Sequence, residues 1–192
     1  MKLILLNGPP RAGKDTAASA ILARMTGAVR LGMSYHLKEA THAAYGMPGR
    51  PHDAYEAVKD VPNADFFGQT PRAAYIAHSE RYMKPLHGAD VFGRIFVRRA
   101  LALNVQTIVA PDAGFADEWT PVIAEFGAGN MLLIRVHAEG RGRTFAGDSR
   151  SFISLPGVVT VDLHNDGDRS VFERQAVHAV LDWAWAGEAL AA

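Results

Sequence analysis

The stretch Leu5–Ala18 reads LLNGPPRAGKDTAA. It carries an apolar run into Gly8, then four residues, then Gly13-Lys14. Glycines at those two places let the backbone curl until successive N–H groups turn inward on an anion. A helix beginning at the second glycine adds its partial positive charge at the same point. Lys14 supplies a cation for terminal phosphates. The spacing Gly-x4-Gly-Lys is that of a phosphate-binding loop, provided a buried strand precedes it and a helix follows. Both conditions are legible. KLILL, Lys2–Leu6, is a short apolar run ending at Gly and Pro. Ala18, Ile21, Leu22 and Met25 then follow the i, i+3, i+4, i+7 pattern of a buried helical face. Gly8, Pro9, Pro10, Arg11, Ala12, Gly13, Lys14, Asp15 and Thr16 are therefore the candidate phosphate-binding residues. The position after the lysine, usually Ser or Thr, is Asp15, and Thr16 follows. The usual hydroxyl there holds Mg²⁺, so Asp15 or Thr16 is the candidate metal ligand, directly or through water.

The apolar runs continue at wide intervals. AVRL, QTIVA (106–110), NMLLIRV (130–136) and GVVTVDL (157–163) read as four more strands. Helical patterns separate them at 34–45, 71–83, 90–103, 116–126 and 169–185. On the last helix Val177, Val180, Leu181 and Ala184 share one face. Strands alternating with helices predict an α/β fold, a five-stranded mainly parallel sheet covered on both sides in a three-layer sandwich. Two segments interrupt the rhythm: a helical insertion over 34–104 and a Gly/Arg-rich loop, AEGRGRTFAGDSRS, over 138–151. Segments this long inside a compact domain are usually functional. No repeat or linker divides the chain, so 1–192 is expected to form one domain.

Composition narrows the function classes. The 192 residues carry 20 basic and 20 acidic side chains, so no global basic field draws the chain to nucleic acid or membrane. Cysteine is absent, which excludes disulfides and thiolate metal sites. The eight His show no close ligand pair. The apolar part of MKLILL is too short for a signal core, and no run is long enough for a membrane span. A soluble, cytoplasmic protein is expected. Fifteen of the 20 basic residues are Arg, nine of them between Arg72 and Arg150. Arg is the better fork for phosphate oxygens.

Other candidates follow from position. Asp112 lies just past the third strand, where ligands sit in open α/β sheets. A carboxylate there holds Mg²⁺ through water, or orients an acceptor hydroxyl, or else caps the helix starting near Ala116. Thr70 is placed to cap a helix with Pro71 at its first position, which puts Arg72 in an anion-favouring first turn. Phe92, Phe96, Ala100 and Leu103 form an apolar stripe with Arg94 and Arg98 pointing away. Arg99 stands at the stripe's edge, either paired or facing the cleft. Arg141, Arg143 and Arg150 sit on the 138–151 loop with Asp148, as a closing lid would carry them. Phe145, Phe152 and Ile153 would dock it. Asn165 or Asp166, in DLHNDGD, can reach a base edge or form a turn.

Together GPPRAGKDT, TPR, PDAGF, GRTFAGDSRSF and HND resemble the phage-type deoxynucleoside monophosphate kinases, over nearly the whole chain. The resemblance implies a P-loop kinase fold with an acceptor-binding insertion and a lid. It implies transfer of the γ-phosphate of ATP to a deoxynucleoside monophosphate, with Mg²⁺, in the cytoplasm of a host if phage-encoded. Gly8–Thr16 would hold ATP, Arg72 the acceptor phosphate, and Asp112 the metal or acceptor. The lid arginines would cover the group in transfer. One position departs: many relatives carry Arg before the Phe of the third-strand motif, where this chain has Gly114. The acceptor's identity therefore stays open. Two other readings stand beside this one. A kinase of the same fold can act on another hydroxyl, such as a 5-hydroxymethyl-pyrimidine in DNA, although zero net charge disfavours a DNA acceptor. A nucleotide-binding switch or assembly module would need no acceptor pocket. The C-terminal DWAWAGEALAA is either a packed helix end or an oligomer contact.

Overall fold

A computed structural model describes residues 1–189, so the last three residues of DWAWAGEALAA lie outside the described part. Strands β1 (Lys2–Asn7), β2 (Ala28–Arg30), β3 (Thr107–Ala110), β4 (Met131–His137) and β5 (Val159–His164) form one parallel sheet in the order β2-β3-β1-β4-β5. The apolar runs of the central strands show why. Alternate side chains leave on opposite faces, and here both sets are apolar. Ile4, Leu6, Val109, Leu132 and Ile134 face a layer formed by α1 (Lys14–Arg24) and α7 (Arg169–Ala189). Leu3, Leu5, Ile108, Met131 and Leu133 face a layer that includes α5 (Val91–Leu103) and α6 (Thr120–Phe126). The result is the three-layer α/β sandwich that the alternating pattern predicts.

The insertion between β2 and β3 begins with α2 (Tyr35–Ala44) and continues with α3 (Pro71–His78). Thr70 caps α3 as expected, its hydroxyl accepting from Ala73 N at 3.1 Å. The helix expected to run to Met83 instead widens into a π turn at Ser79–Met83 and resumes as α4 (Lys84–His87). Pro85 explains the break: it has no N–H for an i→i−4 bond, and one extra residue in the turn lets the chain continue. The helix expected from Ala116 starts as a 3₁₀ turn at Asp117–Trp119. Two apolar faces also shift. Leu103 is 43% exposed in the last turn of α5. On α7 the buried line is Phe172, Ala176 and Val180, and Leu181 is 38% exposed. No helix among the described residues is long and apolar enough to cross a membrane.

Candidate functional site

The loop between β1 and α1 is fixed by close backbone approaches. A Cβ on Gly8, at φ 152°, would lie 2.5 Å from Val136 O, and one on Gly13, at φ 109°, would lie 2.4 Å from Asn165 Nδ2. Only glycine fits either place. Arg11 holds a left-handed φ of 62° between them, a conformation costly for a side-chain-bearing residue. Lys14 folds over the curl, its Nζ donating to Gly8 O and Pro9 O, both at 2.7 Å. Burial pushes its pKa down to about 8, Arg150 adding to the effect while Asp15, Asp112 and Asp148 oppose it. Asn165, for which the sequence left a base edge or a turn open, packs against the loop. It is 9% exposed, and its amide donates to Ala12 O at 2.8 Å. It braces the loop from the end of β5. Asp166, the other base-edge candidate, accepts from Gly140 N at 3.0 Å.

The expected metal ligands separate. Asp15 points outward, its side chain 84% exposed and paired with Arg30 at 2.8 Å, so its carboxylate does not belong to the loop's interior. Thr16 stands in the first turn of α1, and its hydroxyl makes no hydrogen bond within the described residues. Asp112 is already satisfied. Its Oδ1 accepts from Met33 N at 2.8 Å, and its Oδ2 accepts from Ser34 N at 2.9 Å and Ser34 Oγ at 2.6 Å. It caps α2 from across the sheet rather than the helix that follows it in sequence. Those backbone donors belong to the start of α2, which has no intrahelical partners for them. Among the described residues no group of three His, Cys, Asp or Glu is placed to hold a metal ion.

The arginines fall into three groups. Arg150 lies in the cleft. Its stem packs on Gly114, where an added Cβ would be 2.9 Å from its Cδ. Its Nε donates to Asp148 at 2.8 Å, and this pairing holds the Asp148 carboxyl down at about 2. Arg72 faces the same cleft from the insertion. It pairs with Asp60, and that hydrogen bond holds the Asp60 carboxyl low, with Arg11 adding to it. The Asp148 charge adds to that of Asp60 in holding the Arg72 guanidinium ionised. Arg141, Arg143 and Arg99 stand elsewhere. Arg141 donates to Gly167 O, Arg143 is exposed beside an antiparallel bridge to Ala138, and Arg99 pairs with Glu39 at 2.9 Å.

One residue that the sequence pattern did not single out organises the site. Asn7, 1% exposed at the tip of β1, donates to Ala113 O at 2.7 Å and Ser151 O at 3.1 Å, and its Oδ1 accepts from Ile153 N at 3.1 Å. It joins the loop after β3 to the exit of the lid. An Asn just before the first glycine was the available signal. Glu118, 6% exposed, is buried in the 3₁₀ turn before α6. Phe145 packs edge-on against Phe152 at 5.1 Å, and Phe152 stacks on His137 at 4.2 Å, while Ile153 is buried in the core.

No family model matches the chain, and no curated protein matches it. Among solved structures it is similar to a sugar kinase from Janibacter sp. HTCC2649 in unliganded form. The identity is 15% and the TM-score 0.45, over 96% of this chain and 94% of that one.

Proposed function

We propose that the chain is a phosphotransferase that moves the γ-phosphoryl group of ATP to the phosphate of a deoxynucleoside monophosphate. The observation that carries this reading is the geometry of the β1–α1 loop, where only glycine fits positions 8 and 13 and Lys14 Nζ folds over the curl to within 2.7 Å of Gly8 O and Pro9 O. Lys14 sits half-buried at the N-terminus of α1 with Arg150 close enough to lower its pKa. Asp148, paired with Arg150 at 2.8 Å, is the resident anion beside them, and a bound phosphate would compete for both cations. Arg72 forms a second cationic pole, on the insertion. Two poles across one cleft suit two phosphate-bearing molecules, whereas a switch needs one.

The residues fit a nucleotide phosphate chain: inward N–H groups, a helix N-terminus and an ammonium converge on one curl. Bound ATP supplies the transferable group; an oxygen of the acceptor phosphate forms the new P–O bond, the γ-phosphorus to bridging-oxygen bond breaks, and ADP leaves. Lys14 neutralises charge on the phosphates as that bond breaks. The loop backbone fixes their position, and Asn165 keeps the loop in shape. Arg72 holds the acceptor phosphate and Arg150 offsets charge between the two. Thr16 is the side chain suited to a Mg²⁺ held mainly by phosphate and water oxygens. Asp112 acts by fixing the start of α2 against β3.

An ADP-release assay across the four deoxynucleoside monophosphates and a hydroxymethylated oligonucleotide tests this. Monophosphate-dependent ADP release that Lys14→Ala abolishes is expected. Release driven by the oligonucleotide alone would move the reading to a DNA-directed kinase. ATP binding with no acceptor-dependent release would move it to a nucleotide switch.

A further inference from the structure

The phosphoryl step makes no use of the base of the lid, where His137 ends β4. The imidazole there is held on four sides. Its Nε2 lies 2.7 Å from Asp162 Oδ1 on β5, and its Nδ1 lies 3.3 Å from Glu139 Oε1. Glu139 opens the 3₁₀ turn Glu139–Arg141, the first turn of the lid. The ring stacks on Phe152, at the lid's exit, at 4.2 Å and on His164 of β5 at 4.9 Å. The His137 side chain is only 19% exposed. Arg135, His164 and Asp166 complete the charged surroundings. Arg135, on the same strand as His137, grips Asp162 with hydrogen bonds of 2.8 and 2.7 Å. His164 lies 4.0 Å from Asp166, whose carboxylate accepts from Gly140 N at 3.0 Å.

An imidazole with a carboxylate oxygen at each nitrogen donates to both only as the cation. The neutral ring has one N–H and must give up one partner. Both carboxylates stay ionised near neutrality. The Arg135 hydrogen bond, opposed by burial and joined by that of His137, holds the Asp162 carboxyl down at about 2. The backbone N–H of Glu139 itself, followed by His137, holds the Glu139 carboxyl below its ordinary range. That leaves imidazole as the kind of group here that changes charge between pH 5 and 8. We propose that His137 is a proton-operated latch: as the cation it ties the first turn of the lid, through Glu139, to the β4–β5 edge, and as the neutral ring it lets that turn go. The shorter contact, to Asp162, keeps the proton of the neutral ring, and Nδ1 then turns a lone pair on Glu139. The latch is therefore made at low pH and undone as pH rises through the imidazole range. Arg135 and a protonated His164 oppose charge on His137, but each has its own carboxylate beside it, Asp162 and Asp166. The latch does not depend on the phosphotransferase reading.

Trypsin reads the latch, because it cuts after Arg141 and Arg143, in and just beyond the turn that the latch holds. Nucleotide-free protein is nicked there at pH 6 and at pH 8. Each rate is divided by that of a free peptide of residues 138–151 at the same pH, which removes the pH dependence of the protease. The normalised rate should rise about two- to fivefold from pH 6 to pH 8, the size set by one partly exposed ion pair. Glu139→Gln should show the pH 8 rate at both values, and His164→Gln should keep the rise. A wild-type rate that does not change with pH overturns the latch, and so does a Glu139→Gln variant that keeps the rise. Loss of the rise in His164→Gln alone would move the switch to the His164–Asp166 pair and overturns it too. Nuclear magnetic resonance on the wild type needs no variant. The amides of Glu139 and Gly142 should follow the His137 ring through one midpoint, and amides that ignore that ring overturn the latch.

Discussion

The phosphate loop and the lid both carry positive charge to the cleft, but they are built in opposite ways. The loop is held from outside. Val136 O closes on Gly8, Asn165 donates to Ala12 O, and Lys14 is tied to two loop carbonyls. The lid binds its own charges. Arg150 is paired with Asp148 two residues away, and Arg141 is spent on Gly167 O. Its first half is a 3₁₀ turn, Glu139–Arg141, closed by the bridge of Ala138 to Arg143 and tied to Asp166. A preorganised donor set costs little reorganisation when charge develops. A self-paired one must first exchange partners. On the proposed reading the loop would act as a fixed receptor and the lid as an exchanger of ion pairs.

That contrast fails if the loop's cation is dispensable. Lys14→Ala should cut kcat by roughly 10²-fold or more with the melting temperature nearly unchanged. Near-wild-type turnover would remove the loop from the chemistry.

The lid divides by neighbourhood. Arg150 acts on Lys14 and packs on Gly114, while Arg141 and Arg143 stand at the rim. Arg150→Ala should lower kcat by about 10²-fold, in the range seen for an arginine at a transferring phosphoryl group or just below it. The Arg141→Ala, Arg143→Ala double variant should lose clearly less. The reverse ranking in steady-state kinetics would restore Arg141 and Arg143 as the catalytic pair.

Arg72 tests the second pole. Losing a charge-assisted contact to phosphate costs on the order of 1.5–3 kcal/mol, so Arg72→Ala should raise the acceptor KM by about 10- to 100-fold. The KM for ATP should hold. A weakened ATP affinity with an unmoved acceptor KM would place Arg72 on the wrong substrate.

The smallest effect concerns pH. With its pKa down at about 8, Lys14 is partly neutral in mildly alkaline solution. Phosphate oxygens favour the ammonium form and raise that pKa on binding. ATP affinity should then fall as pH rises past about 8. Calorimetry at pH 8 in buffers of different ionisation enthalpy should show proton uptake on binding. Proton release, or none, would mean that Lys14 is not the group titrating.

Much of the fold was legible because its signals are local. The run Lys2–Leu6, the Gly-x4-Gly-Lys spacing and the Thr70-Pro71 cap each act within a few residues. The expectations that moved depend on partners far along the chain. Asp112 meets Met33 and Ser34, Asn165 meets Ala12, and Asn7 meets Ala113 and Ser151. No spacing rule announces such pairs. Residue types were read correctly as polar and near the sheet's carboxyl edge, but the sequence held no sign of what each would bond. Asp15 shows the same limit, since Arg30 comes to it from the next strand.

The Asn7 staple gives the lid an unusual mechanics. Ser151 and Ile153 are pinned to the tip of β1, and Ala138 is buried at the end of β4. A strip fastened at both ends flexes like a handle about the line through its fastenings. Displacement would be greatest at Ala146–Gly147, once Phe145 leaves Phe152, and least beside the fastenings. Arg150 adjoins one of them, so in a moving lid it would stay near Lys14 while the distant crest would swing. A lid so fastened would separate the charge that has to be present from the cover that has to open.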